Sequence, residues 1–314
     1  MSSIATLAFV FPGQGSQKVG MLAEAAKVFP QVQDTFGEAS EVLGYDAWQL
    51  IQEGQPEDIN LTERTQPLLL TASTALWRAW QSRSPVVPAL LAGHSLGEWS
   101  AMVCAGVVAF TDAVELVRLR GAYMQEAVAP GVGAMAAIIG LDDAAITRCC
   151  EQASESDVVA PVNFNAPGQV VIAGTAAAVE RAIGNCKEAG AKRALPLPVS
   201  APFHTELMRP AADRLADHLV NVTLSPAQIP VVQNVNAEVS TDPEVIRGLL
   251  IEQIYSPVRW VDCVNTLLAS GITTTIECGP GKVLCGLNKR IAKTLTAASL
   301  ETPSSLDEAR ALLD

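Results

Sequence analysis

The first apolar run, residues 4–11 (IATLAFVF), has no polar alternation and stops at Pro12 and Gly13. Such a run predicts a strand buried on both faces, as found inside parallel sheets. A helix is expected around 21–29, then a loop rich in Gly, Asp and Pro over 53–60. Helical spacing covers 66–82, a second continuous apolar run occupies 86–92 (VVPALLA), and helices follow at 97–109 and 112–127. Strands alternating with helices predict an α/β fold with a mostly parallel sheet.

The rhythm changes between about 132 and 199. GAMAAIIGL (133–141) reads as a strand and 142–153 as a helix. Two strands at 158–164 and 169–173 are split by the Ala166-Pro167-Gly168 turn. A helix over 175–190 and a strand over 193–199 complete the order βαββαβ, that of a ferredoxin-like split unit. The α/β rhythm then returns with helix 206–220, strand 229–235, helices 243–254 and 257–270, and strand 272–277. The expected organisation is a large domain from 1–128 and 200–314 with a subdomain, 129–199, inserted in it.

Composition narrows the function classes. Of 314 residues 49% are apolar and 17% charged, enough to bury a sizeable core. Lys and Arg number 21 against 33 Asp and Glu, a net charge of −12. That balance argues against nucleic acid or an anionic membrane as partner, so an acidic partner needs a local basic patch. The seven cysteines are scattered with no CxxC pair, as expected of reduced thiols in a cytoplasmic protein. The opening apolar run is too short for a signal segment, and no later run reaches membrane-spanning length.

Gly93-His94-Ser95-Leu96-Gly97 fits G-x-S-x-G between a predicted strand and a predicted helix. A serine on that sharp turn stands its hydroxyl above the sheet edge, and the flanking glycines allow the tight backbone. The N–H of Leu96 would face a developing oxyanion. A nucleophilic serine needs a base, and the chain has three histidines. His94 adjoins the serine, where neighbouring side chains diverge. His218 borders the apolar stripe of a helix and reads as structural. His204, in the loop Ser200-Ala201-Pro202-Phe203-His204 at the return from the inserted unit, is the expected base.

Arg120 falls in the middle of an apolar helical face built by Ala113, Leu116, Val117, Leu119, Tyr123 and Met124, while Arg118 points away. A guanidinium there needs a partner. Either it forms an ion pair with a carboxylate of the chain, or it is a fork for a substrate carboxylate. The glycine-rich loop Phe11-Pro12-Gly13-Gln14-Gly15-Ser16-Gln17 lacks the third glycine of a dinucleotide fingerprint. Met21 stands where a P-loop would have Lys. A loop lending the Gln14 N–H to an oxyanion hole fits better.

FPGQGSQ, GHSLGEWSA, VRLRGAYMQEA, NFNAPGQVVIAG, SAPFH, Gln253 in EQIYSPVRW and ECGPGKVL occur in one order over roughly residues 4–290. Together they resemble the malonyl-CoA:acyl-carrier-protein transacylase family. The resemblance implies an α/β-hydrolase-like large domain, a ferredoxin-like subdomain and a cleft between them. It implies Ser95 as acylated nucleophile, His204 as base, and the N–H groups of Gln14 and Leu96 as oxyanion hole. Arg120 would pair with the malonyl carboxylate, and the main-chain carbonyl of Gln253 would orient the imidazole. Gln66 and His94 would line the acyl pocket, with Asn163 and Asn165 carried over more loosely. Phe203 departs from the small serine that commonly precedes the histidine in bacterial housekeeping enzymes and is similar to malonyl-selective polyketide synthase domains.

The implied substrates are malonyl-CoA and the phosphopantetheine thiol of acyl carrier protein, with no metal or bound cofactor. An acidic carrier approaching a chain of charge −12 would need clustered cations. Lys192, Arg193, Lys282, Lys289 and Arg290 flank the expected cleft. A thioesterase would use the same elbow and base but deliver water, and a nucleotide-binding module would rest on GQG alone.

Overall fold

The structure is a computed structural model that describes residues 2–199 and 201–313; Ser200 of the SAPFH segment lies outside them. Ten strands follow in chain order: β1 (Ser2–Phe11), β2 (Val86–Gly93), β3 (Gly133–Ile139), β4 (Val159–Ala166), β5 (Gln169–Thr175), β6 (Arg193–Pro196), β7 (Val231–Val232), β8 (Val239–Ser240), β9 (Thr274–Glu277) and β10 (Thr296–Ser299). Six of them form one sheet in the order β10-β9-β1-β2-β7-β8, parallel except at β7–β8. The remaining four form an antiparallel sheet in the order β4-β5-β3-β6.

The unbroken apolar run of β1 has a direct cause. Leu7, Phe9 and Phe11 point into one apolar core, and Ala8 and Val10 point into another on the opposite face. Over 7–11 every position is buried, so this half of the strand carries no polar residue, whereas its start, with Ser3 and Thr6, is exposed. Phe9 packs edge-on against Trp77 and Trp80, with ring centroids 5.4 and 5.2 Å apart, which ties β1 to the helix Thr62–Arg83.

The antiparallel sheet divides its residues by the same alternation. Ala136, Ile138, Val170 and Ile172 pack under its own helices, Asp143–Ser154 and Ala176–Glu188. Met135 and Val171, on the other face, look into a cleft that the larger sheet's loops also line. β4 is held to the loop before the helix Trp260–Ala269: Val258 N–H donates to Val162 O at 2.8 Å, and Phe164 N–H donates to Val258 O at 3.0 Å.

Several expected elements differ. The region expected as one helix at 21–29 is a single turn, Ala23–Ala26, and a longer helix, Pro30–Leu43, follows it. Pro30 starts that helix with its missing N–H where none is needed, but its buried stripe of Val32, Phe36 and Ala39 is diluted by polar neighbours. The region expected as a loop, 53–60, instead holds the end of the short helix Ala47–Glu53 and the whole of another, Pro56–Ile59. Helix 97–109 ends at Cys104, because Gly106 turns the chain at φ 75°. Strand 229–235 shortens to β7, and the chain turns over 234–236 to reach β8. Helices Val283–Ile291 and Pro303–Ala311 and strand β10 extend the fold beyond the expected elements. Among the described residues no helix is long and apolar enough to cross a membrane, and the cysteines are unpaired.

Candidate active site

β2 ends at Gly93, and Ser95 opens the helix Leu96–Cys104 with φ 52° and ψ −110°. Two close approaches explain the glycines. A Cβ at Gly93 would sit 2.0 Å from the carbonyl of Gly97, and one at Gly97 would sit 2.0 Å from Phe11 O at the end of β1. The turn therefore packs onto the neighbouring strand only without side chains there. The Ser95 N–H donates to Asn234 Oδ1 at 2.8 Å, and the Ser95 carbonyl accepts from Gln253 Nε2 at 3.0 Å. Because Ser95 N–H is occupied, the nearest free donor on the elbow is that of Leu96. It starts the helix and has no intrahelical acceptor. Gln14, on the loop after β1, lines the same cleft.

Ser95 Oγ lies 2.8 Å from His204 Nε2, and His204 Nδ1 lies 2.8 Å from the main-chain oxygen of Gln253. A carbonyl only accepts, so the proton of the neutral imidazole sits on Nδ1 and the Nε2 lone pair faces the serine hydroxyl. Burial and, next, the Arg120 charge lower the His204 pKa to about 3, so the ring is uncharged at neutral pH. His204 itself is held at φ 64°. His94 turns away, its Nε2 2.7 Å from Asn165 Oδ1 on β4, and burial lowers its pKa as well. His218 pairs with the Tyr123 hydroxyl at 2.8 Å, outside the cleft.

Arg120 lies in the helix Phe110–Glu126 and is 1% exposed. Its neighbour Gly121 abuts the backbone of Thr62 and Glu63, where a Cβ would come within 2.5 Å of Thr62 O. The two helices approach closely enough for Arg120 Nη1 to donate to Gln66 Oε1 at 2.7 Å. Nη2 donates to Gln253 Oε1 at 2.9 Å and is 3.4 Å from Ser95 Oγ. Among the described residues no carboxylate oxygen lies within 4.0 Å of this guanidinium, so the ion-pair alternative fails. Burial lowers its pKa to about 10, opposed by the charge of Glu98, and it stays cationic at neutral pH. Arg118, by contrast, meets Glu115 at 2.6 Å near the surface.

The cleft, of about 270 Å³, gathers Gln66, His94, Arg120, Asn163, Asn165 and Phe203 around the Ser95–His204 pair. Met124, Met135 and Val171 add apolar wall that sequence reasoning missed. Met124 belongs to the same helical face as Arg120, so that face held the signal. Sequence reasoning also missed Glu98 and Asn234, both fully buried beside the elbow. Glu98, an acid within the apolar segment LGEWSAMVC, could have been found by the argument that singled out Arg120. Asn234 carried no signal. Lys192, Arg193, Lys282, Lys289 and Arg290 are all exposed. Arg290 hydrogen-bonds Gln169 at the cleft wall, a neutral partner that fixes its position without compensating its charge. The Lys192 stem lies against Gly140.

The family model described as acyl transferase domain matches residues 8–302. The malonyl CoA-acyl carrier protein transacylase of Salmonella typhimurium is 59% identical over 302 residues, covering 96% of this chain and 98% of that protein. An acyl carrier protein S-malonyltransferase structure from Vibrio cholerae aligns with a TM-score of 0.95 at 58% identity, covering 97% of this chain and 99% of that one. A structure of a type II PKS acyl-carrier protein in complex with its malonyl-transacylase aligns with a TM-score of 0.95 at 54% identity, covering 96% and 98%. The elbow, the imidazole and the buried arginine thus stand in a chain that belongs to the acyl transferase domain family, among the malonyl CoA-acyl carrier protein transacylases.

Proposed function

We propose that this protein transfers the malonyl group of malonyl-CoA to the phosphopantetheine thiol of an acyl carrier protein through a malonyl-serine intermediate. One observation carries the reading: a buried guanidinium that no carboxylate of the described residues touches faces the cleft beside a serine hydroxyl bonded to an uncharged imidazole. The hydroxyl and imidazole suit acyl transfer in general, and the unpaired cation selects an acyl group ending in a carboxylate.

His204 Nε2 takes the Ser95 proton as Oγ attacks the thioester carbonyl. The developing oxyanion meets the N–H groups of Gln14 and Leu96. Collapse breaks the C–S bond, and the coenzyme A sulfur takes the proton from Nε2. The carrier thiol then gives its proton to His204 and attacks the ester, and Ser95 Oγ leaves with that proton. Arg120 holds the malonyl carboxylate in both halves, and the Gln253 carbonyl keeps the Nδ1 proton in place. Gln66, His94 and Phe203 bound the acyl pocket. The chemistry uses no metal or resident cofactor.

The finer architecture follows the same reading. The order β4-β5-β3-β6 in a βαββαβ unit supports a ferredoxin-like subdomain over 129–199. The strand–elbow–helix at Ser95 supports an α/β-hydrolase-like domain over 1–128 and 200–314. The test is to incubate the protein with malonyl-CoA, weigh it intact, and then add carrier protein or buffer. Transfer gives an adduct that the carrier discharges far faster than buffer. Discharge in buffer at the same rate indicates a thioesterase, and the absence of any adduct removes the serine chemistry altogether.

A further inference from the structure

Ser95 occupies a positive-φ conformation that L-residues rarely adopt and that persists only where the surroundings impose it. One carboxamide grips both sides of the turn. Asn234 Oδ1 accepts the Ser95 N–H at 2.8 Å, and Asn234 Nδ2 donates to Gly93 O at 2.6 Å. Asn234 is in turn held by its own main chain, whose N–H donates to Glu98 Oε2 at 2.8 Å. Glu98 lies in the first turn of the helix that Ser95 opens, so the contacts close a ring from elbow to Asn234 to Glu98 and back. Both residues are fully buried, and neither lines the cleft. Glu98 Oε1 finds no hydrogen-bond partner among the described residues. Burial pushes the Glu98 pKa up to about 7, against the pull of the Asn234 N–H, Gln253 and the Arg120 charge, and an acid placed there at such desolvation cost needs a reason beyond packing.

We propose that Asn234 and Glu98 are positioning residues for acyl transfer. Asn234 clamps the elbow in the conformation that aims Ser95 Oγ at His204 Nε2, and Glu98 holds the clamp in place. The clamp also consumes the Ser95 N–H and so leaves oxyanion binding to Leu96 and Gln14. The proposal rests on Ser95 being the acylated nucleophile.

The experiment is single-turnover acylation by malonyl-CoA, followed by rapid quench and intact mass, over a range of malonyl-CoA concentrations. Asn234→Ala is expected to lower the maximal acylation rate about 10²-fold, the cost of a misaimed nucleophile, with the half-saturating concentration unchanged. Glu98→Gln retains an amide oxygen for the Asn234 N–H and is expected to acylate about ten-fold faster than Glu98→Ala. A merely structural role would lower the melting temperature without this split between rate and saturation and without the rescue. A folded Asn234→Ala protein acylating at the wild-type rate overturns the proposal, as does equal loss in Glu98→Gln and Glu98→Ala. If Asn234→Ala does not fold, Asn234→Asp decides at a pH high enough to ionise the new carboxyl: it keeps the volume and the acceptor for Ser95 N–H but then offers no donor to Gly93 O. It must then be slower than wild type at unchanged saturation. Wild-type protein with no adduct on Ser95 is a separate outcome and refutes the nucleophile assignment itself.

Discussion

Replacing Arg120 with alanine tests acyl selection most sharply, because the structure gives that side chain two tasks. The guanidinium is buried and bonded to two neutral amides, Gln66 and Gln253, and among the described residues no carboxylate touches it, though Glu98 acts on it from farther off; a substrate carboxylate would be its direct partner. Losing a desolvated charge-assisted pair of this kind costs roughly 2–5 kcal/mol. The expected loss in malonyl transfer is therefore at least about 30-fold and up to several thousand-fold. The same substitution also frees the Gln253 side chain, whose main-chain carbonyl holds His204 at 2.8 Å. Misalignment of the imidazole would slow every acyl group alike. Acetyl-CoA separates the two effects, since it needs the imidazole but not the guanidinium. Removing Arg120 also removes one of the causes that depress the His204 pKa, which strengthens the base. Acetyl transfer should hold or rise while malonyl transfer collapses, read as a ratio of acyl-enzyme masses in a competition between the two thioesters. A variant that keeps its malonyl preference refutes the carboxylate fork. One that loses both acyl groups equally shows that Arg120 acts through Gln253 alone.

Other expectations follow from single residues. Ser95→Ala should remove the malonyl adduct without loss of melting temperature; an adduct at normal yield in the folded variant contradicts the assignment. With the folded pKa of His204 at about 3 and an ordinary value of 6.5, the free enzyme stays in its basic form, so kcat/KM for malonyl-CoA should show no histidine-type fall between pH 6.5 and 5; a limb there argues against a buried neutral base. The same shift makes the unfolded chain bind a proton that the folded one refuses, so stability is lost as pH falls from 6.5 toward 3, by up to about 1.4 kcal/mol per pH unit. His204→Asn should flatten that part of a denaturant-midpoint profile, and an unchanged profile counts against it. Phe203→Ser should raise methylmalonyl relative to malonyl transfer if the ring crowds the α-carbon, and unchanged selectivity in competition removes the steric gate. Lys289→Glu with Arg290→Glu should raise the KM for carrier protein and flatten its salt dependence while malonyl-serine formation changes little; equal damage to both half-reactions would point instead to the Arg290–Gln169 contact.

What could be read from the chain divides along a physical line. β1 and β2 were legible because burial on both faces leaves an unbroken apolar run, and the βαββαβ unit because its turn and periodicities are local. Pro30–Leu43 was not legible because its buried stripe is thin, and β7 was too long in expectation because Gln233 and Asn234 are polar yet buried. Ser95, His204 and Arg120, which the fold brings to one cleft, stood out by residue type against background. Asn234 did not: an asparagine after a short strand looks like a turn residue, and only the fold shows it spanning Gly93 O and Ser95 N–H.

If the proposed function holds, the site's electrostatics make the substrate part of its own catalysis. Arg120 is cationic, its guanidinium 3.4 Å from Ser95 Oγ, and its charge is second only to burial in depressing His204. In the free enzyme the imidazole is therefore uncharged but a weak base. A malonyl carboxylate seated on Arg120 cancels that field in a site shielded from water, and the Nε2 lone pair becomes more basic as the thioester comes within reach of Ser95 Oγ. A neutral acyl group leaves the field in place and meets the weaker base. Discrimination then belongs to the rate of acylation as well as to binding, so acetyl-CoA at saturation should still acylate the wild-type enzyme more slowly than malonyl-CoA does. The two thioesters differ only in a carboxylate that takes no covalent part in the reaction, and equal saturated rates would show that Arg120 does nothing more than bind.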